Sequence, residues 1–332
     1  MRDPIGLAPP GQARLLAWLP LVVYVLLRGL DATVLKWLQL QGATQALNGV
    51  NPISFCNVFF IAQLSLGLAT LVPGRNHLSR DLGSLAGRDQ LLLALHGGLG
   101  LFLGPVATFL ALDALSVISQ TLLFALVLPL SALLARWLLH ESLPRAFWPS
   151  LVLVLSGLLL PQAAMAMAGG PMDELVGVAW ALVGVAAFAG SAITGRLVAA
   201  RRWPLVVSVG LPSTLAALVF AVIALVLYGP QHFLLLRLWW VVGVIGVYGL
   251  CLSLGRELAL RAAYRQFPVA TVSLWGSLTI LVAALSATWL LGEALAWPTA
   301  LGLALVLAGV GLDGAARARR EQSDLTGGRY SP

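Results

Sequence analysis

The 332-residue chain is 59% hydrophobic and only 10% charged, whereas an ordinary soluble domain carries about 25% charged residues. This composition excludes a soluble globular protein and predicts a polytopic membrane protein. The formal net charge of +7 would suggest nucleic acid in a soluble protein, but here it fits arginine-rich loops near anionic lipid. The sequence contains no zinc-ligand spacing, nucleotide fingerprint or Walker loop, so we expect no metal or cofactor and no self-contained ATP-driven transport.

Apolar runs long enough to cross the hydrocarbon, about 20 residues each, predict ten transmembrane helices. In chain order they cover roughly residues 15–39, 52–72, 90–111, 115–139, 146–166, 175–198, 204–228, 237–261, 267–291 and 296–315. Residues 1–14 are predicted to form a cytoplasmic tail and residues 316–332 a disordered cytoplasmic tail. The predicted fold class is therefore all-α integral membrane.

Arginines are concentrated in alternate gaps between the predicted spans and in both terminal segments. The positive-inside rule then places both termini in the cytoplasm, and the even number of predicted spans agrees. Arg237 is the exception to this pattern. The predicted location is the cell membrane, as a bacterial inner or plasma membrane protein.

The two halves of the chain resemble each other. "LLHESLPRAFWPSLVLVLSGLLL" at 138–160 matches "LLGEALAWPTALGLALVLAGVGL" at 290–312, which aligns Glu141 with Glu293 and Gly157 with Gly309. This similarity predicts two five-helix repeats, 15–166 and 175–315. Because five is odd, the second repeat enters the membrane inverted, and inverted repeats build alternating-access transporters with a substrate site near the midplane.

The residues that mark the repeat also carry a family resemblance. They are Pro129, Glu141 and Gly157 in the first half, and Leu291-Gly292-Glu293, Gly302 and Gly309 in the second. With these residues the chain resembles the drug/metabolite transporter superfamily, in particular its EamA-like ten-helix members. The resemblance implies a central cavity lined by helices one to four and six to nine, and substrates such as amino acids, sugars, nucleotide-sugars and other metabolites. Leu281 and Ser150 depart from an exactly repeated pattern.

Charged residues in the first predicted span are the main clue to a site. At about 100° per residue, Tyr24, Arg28 and Asp31 share one stripe of the helix. Arg28 and Asp31 are three residues apart and can pair, either as a structural ion pair or as a substrate site. As a site, Arg28 would bind a carboxylate or phosphate and Asp31 an amine or a proton. Lys36 is expected to reach the outer interface by snorkelling.

Other polar and aromatic residues in the predicted spans are further candidates. The substrate-binding candidates beyond span one are Asn57, Gln120, Trp180, Tyr248, Arg256 and Trp275. For each of these, interhelical hydrogen bonding or packing is the alternative. Asp31, His96 and Glu257 are the proton-coupling candidates, although Glu257 can also pair with Arg261 four residues later. Glu141 and Glu293 are interpreted as helix-turn elements that bind the free N–H groups opening the next helix.

These patterns predict a secondary transporter or facilitator rather than an enzyme. Its substrate would be a small polar metabolite that resembles an amino acid, a sugar or an organic anion, moved by alternating access. The alternative is an integral-membrane lipid-handling protein, either a flippase or an enzyme acting on a lipid-linked substrate. The expected partners are a small-molecule substrate and the lipid bilayer, with no nucleic acid, and homodimerisation stays open.

Overall fold

The computed structural model describes residues 10–46, 51–83, 85–140, 143, 146–167, 172–237, 239–267, 272, 275–276 and 278–327. The described residues are almost entirely helical and contain no β-strand. The all-helical class is therefore confirmed. This result follows from the composition, because only helices and closed barrels satisfy their backbone hydrogen bonds within a bilayer.

The first five helices in chain order are α1 (Pro10–Thr44), α2 (Phe55–Gly83), α3 (Gly87–Ala114), α4 (Val117–Leu139) and α5 (Phe147–Met167). They are followed by α6 (Met172–Ala200), α7 (Val206–Tyr228), α8 (Trp239 to Gln266), α9 (Leu278–Leu291) and α10 (Trp297–Gly327). Three of the described helices contain a π-helical segment: α3 at Gly98–Leu103, α7 at Val206–Gly210 and α8 at Tyr248–Leu254.

Seven of the described helices are long and apolar enough to cross a membrane, namely α1, α2, α3, α4, α6, α7 and α8. The apolar helices Phe147–Pro161, Leu278–Leu291 and Trp297–Leu312 are shorter, and they lie where the fifth, ninth and tenth spans are predicted. Large hydrophobic side chains face outwards along many helices, and Trp289 is 86% exposed. An apolar exterior with tryptophan near helix ends is typical of a protein surrounded by lipid. A multi-pass membrane protein is thus confirmed, and the count of ten spans stays a prediction.

The helices pack in a regular pattern of pairs. α1 packs against α8 and α9, while α6 packs against α3 and α4. We call these sets the α1 group (α1, α8, α9) and the α6 group (α3, α4, α6). α2 packs against α7, and α5 packs against α10. The largest apolar core joins both groups and contains Leu38, Leu112, Leu122, Phe220 and Ile245.

The terminal helices are longer than the sequence predicts. α1 begins at Pro10, inside the predicted N-terminal tail, and α10 continues to Gly327. The structure therefore differs from the predicted disordered tail over residues 316–327. The segment "AARARREQ" consists of residues with high helix propensity, so it extends the helix that precedes it.

A short 3-10 helix, Pro230–Arg237, connects α7 to α8 and is anchored by a buried histidine. His232 Nε2 lies 2.8 Å from Ser54 Oγ, and the His232 ring stacks on Tyr228 at a centroid distance of 4.3 Å. Burial lowers the pKa of His232. The neutral ring can therefore keep its hydrogen bond to the segment that opens α2.

Glycines allow α5 and α10 to approach closely. A Cβ on Gly157 would overlap the carbonyl oxygen of Gly302, and a Cβ on Gly302 would overlap the carbonyl oxygen of Gly157. Two turns along α5, Ser150 Oγ donates to the carbonyl oxygen of Gly309 at 2.5 Å. Small residues are the usual means by which membrane helices bring their backbones together.

Gly157→Ala is expected to destabilise the protein, because its Cβ meets backbone that can move only if the two helices separate. Overpacking of this kind costs about 1–3 kcal/mol, which exceeds the gain in helix propensity of about 1 kcal/mol. Thermal unfolding in detergent measures the effect. Gly311→Ala in α10 is the matched control, since a Cβ there meets no atom within 4 Å. A Gly157→Ala protein that melts at or above the wild-type temperature would contradict the prediction.

Candidate functional site

Asp31 is the centre of a polar cluster that joins α1 to α8. Its Oδ2 accepts hydrogen bonds from Arg28 Nη1 at 3.1 Å and from Arg256 Nη1 at 2.5 Å. Its Oδ1 accepts a hydrogen bond from Tyr248 Oη at 2.9 Å. We call these four residues the Asp31 cluster. The spacing of Arg28 and Asp31 predicts their contact, and the structure adds two predicted candidates from a distant part of the chain.

The π-helical segment of α8 explains how Tyr248 and Arg256 reach the same carboxylate. Eight residues separate them, so in a regular α-helix they would lie about 80° apart around the axis. A π segment accommodates about one extra residue in its turn. Arg256 therefore lies roughly two full turns from Tyr248, and both side chains point towards α1. Segments of this type occur frequently at functional sites.

The Asp31 cluster carries more positive than negative charge. Two guanidinium groups face one carboxylate, and the tyrosine hydroxyl adds no formal charge. The side chains of Arg28, Arg256 and Asp31 are 39%, 27% and 17% exposed respectively. Arg28 is thus the member that is most open to its surroundings. Tyr24, one turn earlier on α1, is half-buried and lies beside Gly276.

A second polar cluster, which contains no carboxylate among its described members, joins α6 to α3. His96 Nδ1 lies 3.3 Å from Thr194 Oγ1 and 3.4 Å from Ser191 Oγ. One turn away, the ring of Phe188 fills the space where Gly104 would carry a Cβ. In the predicted repeat, Phe188 and Ser191 would be the counterparts of Arg28 and Asp31. The described α6–α3 contact contains no formal charge pair.

The remaining substrate-binding candidates have other contacts. Asn57 Nδ2 donates to the Pro52 carbonyl at 3.1 Å, close to the start of α2. Gln120 Nε2 donates to the Thr108 carbonyl at 3.0 Å and so ties α4 to α3. The other two candidates, Trp180 and Trp275, pack against the main core and against Trp18 respectively. The Oδ1 atom of Asn57 is buried without a described hydrogen-bond partner, and a substrate role for these four residues stays a prediction.

Of the other proton-coupling candidates, Glu257 accepts a hydrogen bond from Arg261 Nε at 2.7 Å, as the i,i+4 spacing predicts. Among the described residues, no group of three or more His, Cys, Asp and Glu side chains could hold a metal ion. Cys56 is buried and Cys251 exposed, and both are free thiols.

The turn between α3 and α4 is held from both sides by charged side chains of the α1 group. Lys36 Nζ on α1 donates to the carbonyl oxygens of Leu112 and Leu115. Glu293, just after α9, accepts from the backbone N–H groups of Val117 at 2.7 Å and Ile118 at 3.1 Å. We call this arrangement the α3–α4 clamp.

The α3–α4 clamp corrects two predictions. Lys36 does not reach the membrane surface by snorkelling alone, because its ammonium group binds two carbonyl oxygens at the end of α3. Carbonyls at a helix end are negatively polarised and lack intrahelical partners. Glu293 does cap a helix, but the helix is α4 of the other half rather than the one that follows it in sequence. Glu141, its counterpart in the first half, lies outside the described residues.

These features define a multi-pass helical membrane protein with a charged cluster between its helices. A protein of Synechocystis sp. (strain ATCC 27184 / PCC 6803 / Kazusa), named an uncharacterized transporter, is 29% identical over 284 residues. The match covers 81% of this chain and 78% of that protein. A solved structure, described as a crystal structure of a protein, has a TM-score of 0.52 and 19% identity, and covers 87% of this chain and 96% of that one. That likeness shows the fold alone. No protein-family model matches the chain.

Proposed function

We propose that the protein is a secondary transporter or facilitator of a small polar metabolite. In this proposal it works by alternating access between two inverted five-helix repeats, as in EamA-like transporters. The observation that carries the proposal is the pairing of helices. Exchanging α1–α5 with α6–α10 converts the α1–α8 and α1–α9 contacts into the α6–α3 and α6–α4 contacts, and it leaves the α2–α7 and α5–α10 pairs unchanged. The similarity to a protein named as a transporter points the same way.

Individual contacts in the α5–α10 interface support the same symmetry. The repeat aligns Gly157 with Gly309 and Ser150 with Gly302. Gly157 lies against Gly302, while Ser150 bonds to Gly309. Each of these two contacts is thus the counterpart of the other when the halves are exchanged. Two packed copies in opposite orientation can exchange conformations, which is the basis of alternating access in inverted-repeat carriers.

The α3–α4 clamp suggests which conformation is present. With both termini in the cytoplasm, Lys36 and Glu293 lie towards the outer side of the membrane. There they hold the α1 group against the α6 group. In this proposal the structure is closed outside, and the substrate reaches the Asp31 cluster from the cytoplasm. Asp31, His96 and Glu257 are the candidates for proton coupling in this proposal, and Asp31 and Glu257 each also pair with arginine.

Flux measurements in proteoliposomes test the proposal. The purified full chain should move at least one member of a radiolabelled panel of organic acids, amino acids and sugars faster than protein-free liposomes do. The same vesicles, loaded with a fluorescent phospholipid, test the lipid-handling alternative by a dithionite-quenching assay. Lipid scrambling without flux of any soluble solute would overturn the proposal in favour of that alternative.

A further inference from the structure

We infer that the Asp31 cluster is a binding site for a small organic anion, held through its carboxylate or phosphate group. This inference rests on the proposed function and names the substrate class. The cluster contains Arg28 and Arg256 but a single acid, Asp31. An unbalanced charge among membrane-spanning helices is costly. A bound anion would balance the second guanidinium.

Two further acids, Glu257 and Glu293, already have hydrogen-bond partners among the described residues. Glu257 is adjacent to Arg256, but its carboxylate is bonded to Arg261 at 2.7 Å. Glu293 is bonded to the backbone N–H groups that open α4. The excess positive charge therefore stays on the two arginines.

The hydrogen bonds within the Asp31 cluster indicate which group a ligand would meet. Both arginines use Nη1 on the same carboxylate oxygen, and Tyr248 occupies the other oxygen. With three donors around it, Asp31 orients the arginines and is poorly placed to receive a substrate amine. Each guanidinium has five N–H donors in a planar fork. Its remaining donors match the two oxygens of a carboxylate or phosphate.

The equivalent positions in the other half provide no second pair of charged groups that a substrate could bind. Where α1 presents Arg28 and Asp31 against α8, α6 presents Phe188 and Ser191 against α3. His96, Ser191 and Thr194 offer hydrogen bonds without a formal ion pair. The described residues thus favour a net anion over a zwitterion, which would need a free acid as well as a free arginine.

Transport of matched solutes tests the inference. The probes are lactate, succinate and glycerol 3-phosphate as anions, with glycerol, alanine and lysine as neutral, zwitterionic and cationic solutes. We expect flux of at least one anion, and protection of the protein from thermal unfolding by that same anion. Arg28→Gln and Arg256→Gln should each weaken its apparent affinity about tenfold or more, the size of one charge-assisted hydrogen bond. Arg28→Lys should recover only part of the lost affinity, because a compact ammonium charge replaces the planar guanidinium group with its paired N–H donors.

Arg201→Gln is the matched control, because Arg201 pairs with Asp89 at 3.0 Å and not with the Asp31 cluster. It should bind the anion as the wild type does. If either Arg→Gln variant melts too low to assay, the affinity of Arg28→Lys, which keeps the positive charge, is compared with that of the wild type instead. Wild-type affinity in Arg28→Lys and in a folded Arg28→Gln would overturn the inference.

The outcomes separate this inference from the proposed function. Flux of alanine, lysine or glycerol without any anion would leave the transporter proposal standing and overturn the anion site. Absence of flux for every solute would overturn both. Stabilisation by phosphatidylglycerol vesicles, with no response to any soluble anion, would show that the arginines bind a lipid headgroup and would also overturn the inference.

Discussion

Asp31→Asn is expected to abolish transport and to lower the thermal stability of the protein. The asparagine has nearly the same shape, but its amide presents a donor or a neutral oxygen to two guanidinium groups. Arg28 and Arg256 both lie within hydrogen-bonding distance of one Asp31 oxygen, so they face each other without a counter-ion in the variant. Removing one partner of a fully buried ion pair costs about 3 kcal/mol or more, and the partial exposure of the two arginines makes the expected loss smaller than that.

Flux in proteoliposomes and thermal unfolding in detergent measure the two effects separately. Asp89→Asn is the matched control, since it removes an acid that pairs with Arg201 at 3.0 Å, away from the Asp31 cluster. The double variant Asp31→Asn with Arg256→Gln returns the cluster to its wild-type net charge and should recover part of the lost stability while transport stays absent. Recovery of transport as well would show that the Asp31 cluster is only a structural ion network. An Asp31→Asn protein that melts and transports like the wild type would contradict the prediction altogether.

Glu293→Gln is expected to open the side of the bundle that carries the α3–α4 clamp. The carboxylate accepts two hydrogen bonds from the positively polarised start of α4, and a neutral amide can accept at only one of its two ends. The loss of one charge-assisted hydrogen bond is worth about 1.5 kcal/mol. This corresponds to roughly a tenfold shift in a two-state equilibrium.

Reaction of a buried cysteine with a membrane-impermeant thiol reagent measures this opening. Ile118→Cys is a suitable reporter, because Ile118 is 2% exposed and its contact with Glu293 uses the backbone. Cys56 and Cys251 are first replaced by alanine. Labelling from outside should be about ten times faster with Glu293→Gln, and Lys36→Met should act in the same direction. Asp89→Asn is again the control, and equal labelling rates in all variants would contradict the role of the clamp.

The sequence predicts the local part of the Asp31 cluster and misses the part that spans helices. Arg28 and Asp31 are three residues apart, so helical periodicity alone brings them together. Arg256 is a candidate by its charge, but a regular helix does not direct it and Tyr248 to the same point. The π-helical turn at Tyr248–Leu254 changes the register, and an apolar run of residues does not signal it.

The α3–α4 clamp was missed for a different reason. Lys36 and Leu112 are 76 residues apart, and Glu293 and Val117 are 176 apart. No residue pattern links them, because the partners of both charges are peptide groups. The repeat marks Glu293 as important, but it does not reveal which helix the carboxylate caps. The sequence also underestimates the length of α10, which continues to Gly327. The charged segment "AARARREQ" suggests disorder by its charge, although its residue types favour a helix.

The choice of main-chain partners by the α3–α4 clamp has a consequence for mutational scanning. Every residue except proline supplies a backbone N–H, and every residue supplies a carbonyl. Leu112, Leu115, Val117 and Ile118 can therefore change their side chains without losing the hydrogen bonds to Lys36 and Glu293. A saturation scan would report two sensitive charged positions with no sensitive polar partner. Methods that search for compensating pairs of substitutions would overlook the contact.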